Sequence, residues 1–148
     1  MIVPKYVLDT NVYIDAFRSP EKAEELKKFL TKHLPLTYLS ALVTMELRTG
    51  ARTKEQAETL EDEVFGPFEK RRRIFVPSAK AFKEAGRVLA ALAREHLFDL
   101  RAPNNSLIRD SLLAASCREQ GLMLVTNDRD YQAIKRHLKA FRFLRPWP

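Results

Sequence analysis

Short apolar runs alternate with longer amphipathic stretches along the whole chain. Tyr6-Val7-Leu8 is apolar and stops at Asp9-Thr10-Asn11, three residue types that cap helices, so it predicts a buried strand entering a short helix that lasts to Phe17. Ser19-Pro20 opens a charged amphipathic helix, with Ser as the cap and Pro at the first helical position. Leu36 to Leu39 predicts a second strand, and Ser40 caps a helix with apolar positions at Leu42, Val43 and Leu47 and a stop at Gly50. Thr53 opens a Glu-rich helix expected to end near Gly66-Pro67. Ile74-Phe75-Val76 predicts a third strand, and Ser78 caps a long helix to about His96. A loop from Phe98 to Asn105 is the candidate mobile edge, and Asn104-Asn105-Ser106 starts a helix closed by Gly121. Leu122 to Val125 is a fourth strand, continuous enough in apolar character to be buried on both faces. A helix near Tyr131 to Leu138 and a strand near Phe141 to Leu144 follow.

Strands that alternate with helices in this way predict an α/β fold, a parallel sheet covered on both faces by helices. At 148 residues the chain suits one domain over 1–148, without internal repeats or linkers. A hydrophobic fraction of 45% supports a true core and excludes an unfolded polyelectrolyte. The net charge of +7 favours a polyanionic partner, although solubility alone also accounts for it. Cys117 is the single cysteine, so no intrachain disulfide is available, which suits a reducing compartment. The first residues do not read as a signal peptide and no apolar run reaches membrane-spanning length, so the expectation is a cytoplasmic protein away from membranes.

Four acids stand where acids are costly. Ligands of open parallel sheets bind beyond the carboxyl ends of the strands, and Asp9 follows the first strand directly while Asp128 follows the fourth after Thr126-Asn127. Glu46 shares a helix stripe with Leu42, Val43, Leu47 and Gly50, and Asp110 shares one with Leu107, Leu113, Ala114 and Cys117. Singly, each has a plain structural explanation: Asp9 and Asp128 as helix caps, Glu46 as the partner of an arginine such as Arg48 or Arg109. Jointly, four carboxylates converging at one end of a sheet repel one another, and a bound cation is the natural remedy. All-oxygen ligands select Mg²⁺ or Mn²⁺. His33, His96 and His137 lie in charged helical stretches without ligand spacing and read as solvated, and Cys117 reads as a packed core residue.

With these residues in view, the chain resembles the PIN-domain family, and within it the VapC-like toxins of toxin–antitoxin pairs. Tyr6-Val7-Leu8-Asp9-Thr10-Asn11-Val12 is similar to the opening motif, and Ser40 to Leu47 with Gly50 to the second. Asp110-Ser111-Leu112-Leu113-Ala114-Ala115 is similar to the third. Val125-Thr126-Asn127-Asp128-Arg129-Asp130-Tyr131 is similar to the fourth, with Tyr131 where the family usually carries Phe. The four motifs in order cover nearly the whole chain.

The resemblance implies a three-layer α/β/α fold with a central, mainly parallel sheet, a homodimer, Mg²⁺ or Mn²⁺ dependence, RNA cleavage and inhibition by a cognate antitoxin. Asp9, Glu46, Asp110 and Asp128 then form the catalytic and metal-binding set, with Asp130 a supporting or alternative acid and Asn11 and Thr126 orienting carboxylates or water. Because carboxylates repel phosphate, RNA binding needs nearby cations. Arg48 and Arg109 flank the acids in sequence, whereas the Arg71-Arg72-Arg73 run reads first as a solvated face. Other readings are a catalytically silent RNA- or protein-binding module, a housekeeping RNA-processing nuclease, and a haloacid-dehalogenase-like phosphatase. The last is disfavoured by Asn11, where that chemistry wants a second Asp. An interface between copies is expected on Leu26, Phe29, Leu30, Leu60, Val64 and Phe65.

Overall fold

Strand β1 (Tyr6–Leu8) is buried along its length, as an apolar run with parallel neighbours on both sides must be. In the computed structural model of the chain, which describes residues 3–148, β1 pairs with β2 (Thr37–Ser40) on one side and β4 (Met123–Val125) on the other. β3 (Ile74–Phe75) adds beyond β2, and β5 (Phe143–Leu144) beyond β4. Every pairing is parallel, and the order is β3-β2-β1-β4-β5. This is the expected α/β sheet, wholly parallel among the described residues. Each edge strand is only two residues long, and Pro77 and Pro146 follow them closely.

The helix starts follow the cap residues. Asp9, in extended backbone, caps α1 (Thr10–Arg18), and Ser19 caps α2 (Pro20–His33). Ser40 caps α3 (Ala41–Gly50), and Thr53 forms a full capping box with Gln56 at the start of α4 (Lys54–Leu60). Beyond α5 (Gly66–Lys70), Ser78 caps α6 (Ala79–Arg94) and Asn104 caps α7 (Asn105–Gln120). Gly121, at φ 69°, closes α7 in the left-handed region where glycine is unstrained. α8 (Tyr131–Arg136) leads to β5. α1 packs on α2 and α6 on α7, and the core between helices and sheet is lined by Leu8, Leu39, Leu92, Leu113, Leu124 and Phe141, all with essentially no exposure.

Four expectations need correction. Gly66-Pro67 does not end its helix: a π-helical segment, Glu61–Phe65, passes directly into α5. The wider turn brings the Gly66 N–H onto the Glu61 carbonyl and places Pro67 at a first-turn position where no N–H is needed. Phe29, Leu60, Val64 and Phe65 are core residues, and Leu26 and Leu30 pack against that core, so this set does not supply a free interface. His33 packs against the rings of Tyr6 and Phe29. His137 pairs with Glu95.

The sheet order also locates the site. Going outward from β1, the chain order runs one way through β2 and β3 and the other through β4 and β5. The crevice of a doubly wound sheet opens at such a reversal, here beyond the carboxyl ends of β1 and β4. Asp9 follows β1 and donates its N–H to Val125 O at 2.9 Å, and Thr126 follows β4 and donates its N–H to Leu144 O at 3.0 Å.

A Cβ at Gly66 would lie 2.8 Å from the Glu61 carbonyl oxygen. Gly→Ala inside a helix ordinarily stabilises by about 1 kcal/mol. At Gly66 the sign reverses: Gly66→Ala is expected to destabilise by roughly 1–3 kcal/mol, read as a lower urea midpoint at unchanged slope.

Candidate active site

Asp9 has no exposed surface, yet its carboxylate is fully engaged. Oδ1 accepts the N–H of Thr10 at 2.8 Å, the helix-cap bond that ties it to α1. Oδ2 accepts the Thr126 hydroxyl at 2.9 Å, the Tyr131 hydroxyl at 3.1 Å and Asn11 Nδ2 at 3.4 Å. Asp9 therefore caps α1 through Oδ1, while Oδ2 is held by Thr126, Tyr131 and Asn11. Thr126 is satisfied in full: its hydroxyl donates to Asp9 and accepts from Asn11 Nδ2 at 3.1 Å and the Asp128 N–H at 3.0 Å. Asn11 Oδ1 in turn accepts the Asn127 N–H at 3.1 Å, locking the loop after β4 against α1. Asn11 and Thr126 thus sit where the orienting role expected of them would place them.

Asp110, from the second turn of α7, is brought against Asp9 by Tyr131, whose hydroxyl lies 3.1 Å from an oxygen of each. One phenolic hydrogen cannot serve both carboxylates at once, so Tyr131 donates to one of the two at a time. Burial pushes Asp110 up to about 7, Arg109 pulls it back, and the charges of Asp9 and Asp128 push it up again. Burial and the two carboxylates likewise hold the Tyr131 phenol well above its ordinary range.

The centre of the cluster is a guanidinium. Arg109 Nη2 lies 2.6 Å from Asp110 Oδ1 and 3.5 Å from Asp9 Oδ1, and Nη1 lies 2.8 Å from Glu46 Oε1. Burial works against its charge, but Asp9, Tyr131, Asp110 and Glu46 together outweigh that and raise its pKa. Glu46 is the least enclosed of the acids at this centre, with a third of its side chain exposed, and its Oε1 also accepts the Thr10 hydroxyl at 2.7 Å. The pairing of Glu46 with an arginine is thus realised by Arg109. The fit is incomplete: Nη1, though buried and close to Glu46, has no aligned acceptor for its N–H bonds.

Asp128 is half-buried beside this group, and its Oδ1 accepts the Asp130 N–H at 2.8 Å. Its charge reaches Asp110, whereas Asp130 is exposed. Arg48 is exposed and its Nη1 donates to Ala51 O at 3.0 Å, at the end of its own helix. Tyr131 and Thr10 are site residues that sequence reasoning did not assign. A tyrosine in an apolar helix stripe, where a phenylalanine would pack equally well, was the available signal for the first.

In chemistry the acids fit a hard divalent cation: the donor set is carboxylate oxygen from β1, α3, α7 and the turn after β4. In arrangement they close on Arg109, and among the described residues no three acid, histidine or cysteine side chains are gathered as a metal shell. Arg109 lies between Asp9, Asp110 and Glu46, so a cation held by these three would have to displace it.

Residues 6–137 match the PIN domain family model, and the chain belongs to the PIN-domain family. Among curated proteins, no sequence is similar enough to match. Solved structures share the fold at low identity. A chain of the DNA-bound VapBC from Salmonella typhimurium is 24% identical with a TM-score of 0.71, the match covering 97% of this chain and 98% of that one. A chain of FitAcB from Neisseria gonorrhoeae is 24% identical with a TM-score of 0.69, covering 96% and 98%. A chain of a toxin–antitoxin complex from Klebsiella pneumoniae is 20% identical with a TM-score of 0.62, covering 97% and 98%.

The raised pKa of Asp110 sets a pH dependence for the metal-free protein. Its folded value, about 7, stands above that of an unfolded aspartate, so the native state binds the extra proton between pH 4 and 7. Stability is therefore expected to fall as pH rises from about 4 to 7 in EDTA. Asp110→Asn, which cannot ionise, should flatten that slope in thermal melts. An unchanged slope in the variant would assign the effect to another group.

Proposed function

We propose that this chain is a metal-dependent endoribonuclease, the toxin of a toxin–antitoxin pair, acting in the cytoplasm as a homodimer of one PIN domain over 1–148. The observation that carries the nuclease reading is the convergence of Asp9, Asp110 and Glu46, with Asp128 beside them, at the sheet reversal of a PIN fold. The toxin reading is supported by structural neighbours whose complexes are described as VapBC, FitAcB and toxin–antitoxin, which also makes a cognate antitoxin the natural partner. Among the described residues no helix is long and apolar enough to cross a membrane.

Asp9, Glu46, Asp110 and Asp128 would hold Mg²⁺ or Mn²⁺. Bound there, the cation would activate a water for in-line attack on a phosphodiester and offset charge on the leaving oxygen. The chain's own residues prepare for this. Thr126 and Tyr131 fix Asp9 Oδ2, and the Thr10 N–H fixes Oδ1, so the Asp9 carboxylate cannot rotate away. The Thr10 hydroxyl steadies Glu46. Tyr131 spans Asp9 and Asp110, and its hydroxyl can donate to either carboxylate. Arg109 must swing outward to free the carboxylate oxygens.

One observation favours a second reading. Arg109 already neutralises part of the cluster, as it would in a catalytically silent binding module. The deciding experiment is cleavage of single-stranded and structured RNA by the purified chain with Mn²⁺, with EDTA, and with Asp9→Asn. The nuclease reading expects metal-dependent cleavage that Asp9→Asn reduces on the order of 10²–10³-fold. Cleavage indifferent to both changes would overturn it, and absence of cleavage with no metal-induced rise in melting temperature would establish the silent module.

Arg109→Ala separates the readings independently of turnover. If the guanidinium competes with the cation, its removal should tighten Mn²⁺ binding by roughly tenfold, about 1.4 kcal/mol, in calorimetric titration. Equal or weaker binding would show that Arg109 does not occupy the cation's place.

A further inference from the structure

Beside Asp128, on the β5 side, the surface sinks into a depression of about 230 Å³. Its lining includes Asn127, Asp128, Arg129, Gln132, Phe143 and Arg145. Two elements set its position. Arg129 stands in the turn after β4, and Arg145 follows β5 directly, so both guanidinium groups belong to the carboxyl end of the sheet, where the acids are. The bond from Thr126 N–H to Leu144 O holds these two chain segments together.

Three polar side chains in this lining are uncommitted. Arg129, Gln132 and Arg145 are exposed, and among the described residues none of the three side chains makes a hydrogen bond or an ion pair. The floor is Phe143, half-buried in a stack with Phe141 and near Tyr131. The depression is smaller than the roughly 300–1,000 Å³ of small-molecule sites, a size suited to one unit of a longer ligand.

The electrostatics of the acids require such a feature. A phosphodiester approaching Asp9, Glu46, Asp110 and Asp128 is repelled, and the arginine inside the cluster is held by those same carboxylates. Arg48 is turned to the end of its own helix. Arg71 and Arg72 precede β3, at the amino ends of the parallel strands and so at the opposite edge of the sheet. Arg129 and Arg145 share the lining of this depression with Asp128.

We propose that this depression seats one nucleotide of the single-stranded RNA next to the scissile bond. Arg129 and Arg145 hold its flanking phosphates, Gln132 meets the base edge, and Phe143 forms an apolar floor beneath it. The inference rests on the ribonuclease reading and adds to it the side on which the strand leaves the acids.

The test compares two double variants of the full chain, Arg129→Ala/Arg145→Ala and Arg71→Ala/Arg72→Ala, which remove the same charge from opposite ends of the sheet. Binding of a fluorescent single-stranded RNA is measured in the Asp9→Asn background across a salt series, and steady-state cleavage in the otherwise native chain. The expected result is at least a tenfold loss of affinity for the first pair alone. The slope of log K against log salt should become shallower by about 1.4, the value for two phosphate contacts on a single strand. In cleavage KM should rise with kcat within about twofold. Equal losses in both pairs would mean a diffuse field, and that result, no loss in either pair, or no RNA binding by the parent would each overturn the subsite. Failure of the native chain to cleave RNA with Mn²⁺ would instead strike the ribonuclease reading itself, so the two failures are distinct.

Discussion

The carboxylate of Asp9 is the point on which the rest of the site turns. It is a charged group with no access to bulk water, and such a group is costly unless each oxygen is met by a donor. The donors arrive from separate parts of the chain: the first turn of α1, the residue after β4, the start of α8 and the second turn of α7. Removing any one donor leaves a buried charge less well met, which ties three helices and two strands to a single arrangement around one side chain. The sheet reversal between β1 and β4 creates the crevice, and Asp9 determines what can line it.

Charge balance explains the chemistry of the crevice. Asp9, Asp110 and Glu46 around one guanidinium leave negative charge in excess, and burial together with the neighbouring carboxylates raises the Asp110 pKa despite Arg109. The Tyr131 hydroxyl reaches both buried carboxylates and can donate to either. A buried carboxyl whose pKa is raised beside other carboxylates is the sign of a shortfall in positive charge. A divalent ion would answer it, and this is the physical link between the metal-free arrangement and the proposed activity.

Much of this was legible in the chain. Period and caps placed β1, β2, β4 and the starts of α2, α3, α6 and α7, because Ser and Asn at an N-cap act locally and are little affected by distant contacts. The Gly66-Pro67 boundary was misread because a π-helical segment is a response to packing, invisible to a rule about neighbours. The acids stood out through burial on apolar stripes, but the arginines could not be ranked by adjacency. Arg48 lies two residues beyond Glu46, about 200° around α3, and turns to Ala51 O, whereas Arg109 meets its neighbour Asp110 and reaches out of α7 to Asp9 and Glu46. The Thr10 and Tyr131 contacts join residues 36 and 122 positions apart, and no local pattern announces them.

The two ends of the sheet constrain how anything larger can attach to this molecule. A parallel sheet normally leaves a row of unpaired backbone groups along each outer strand, open to annexation by a foreign strand. Here both outer strands are two residues long and run out at a proline, Pro77 on one side and Pro146 on the other. A visiting chain would find room for little more than one pair of ladder bonds before the backbone stopped offering donors. Growth by strand addition is therefore disfavoured at both of these edges, and a partner that docks there meets side chains more than backbone.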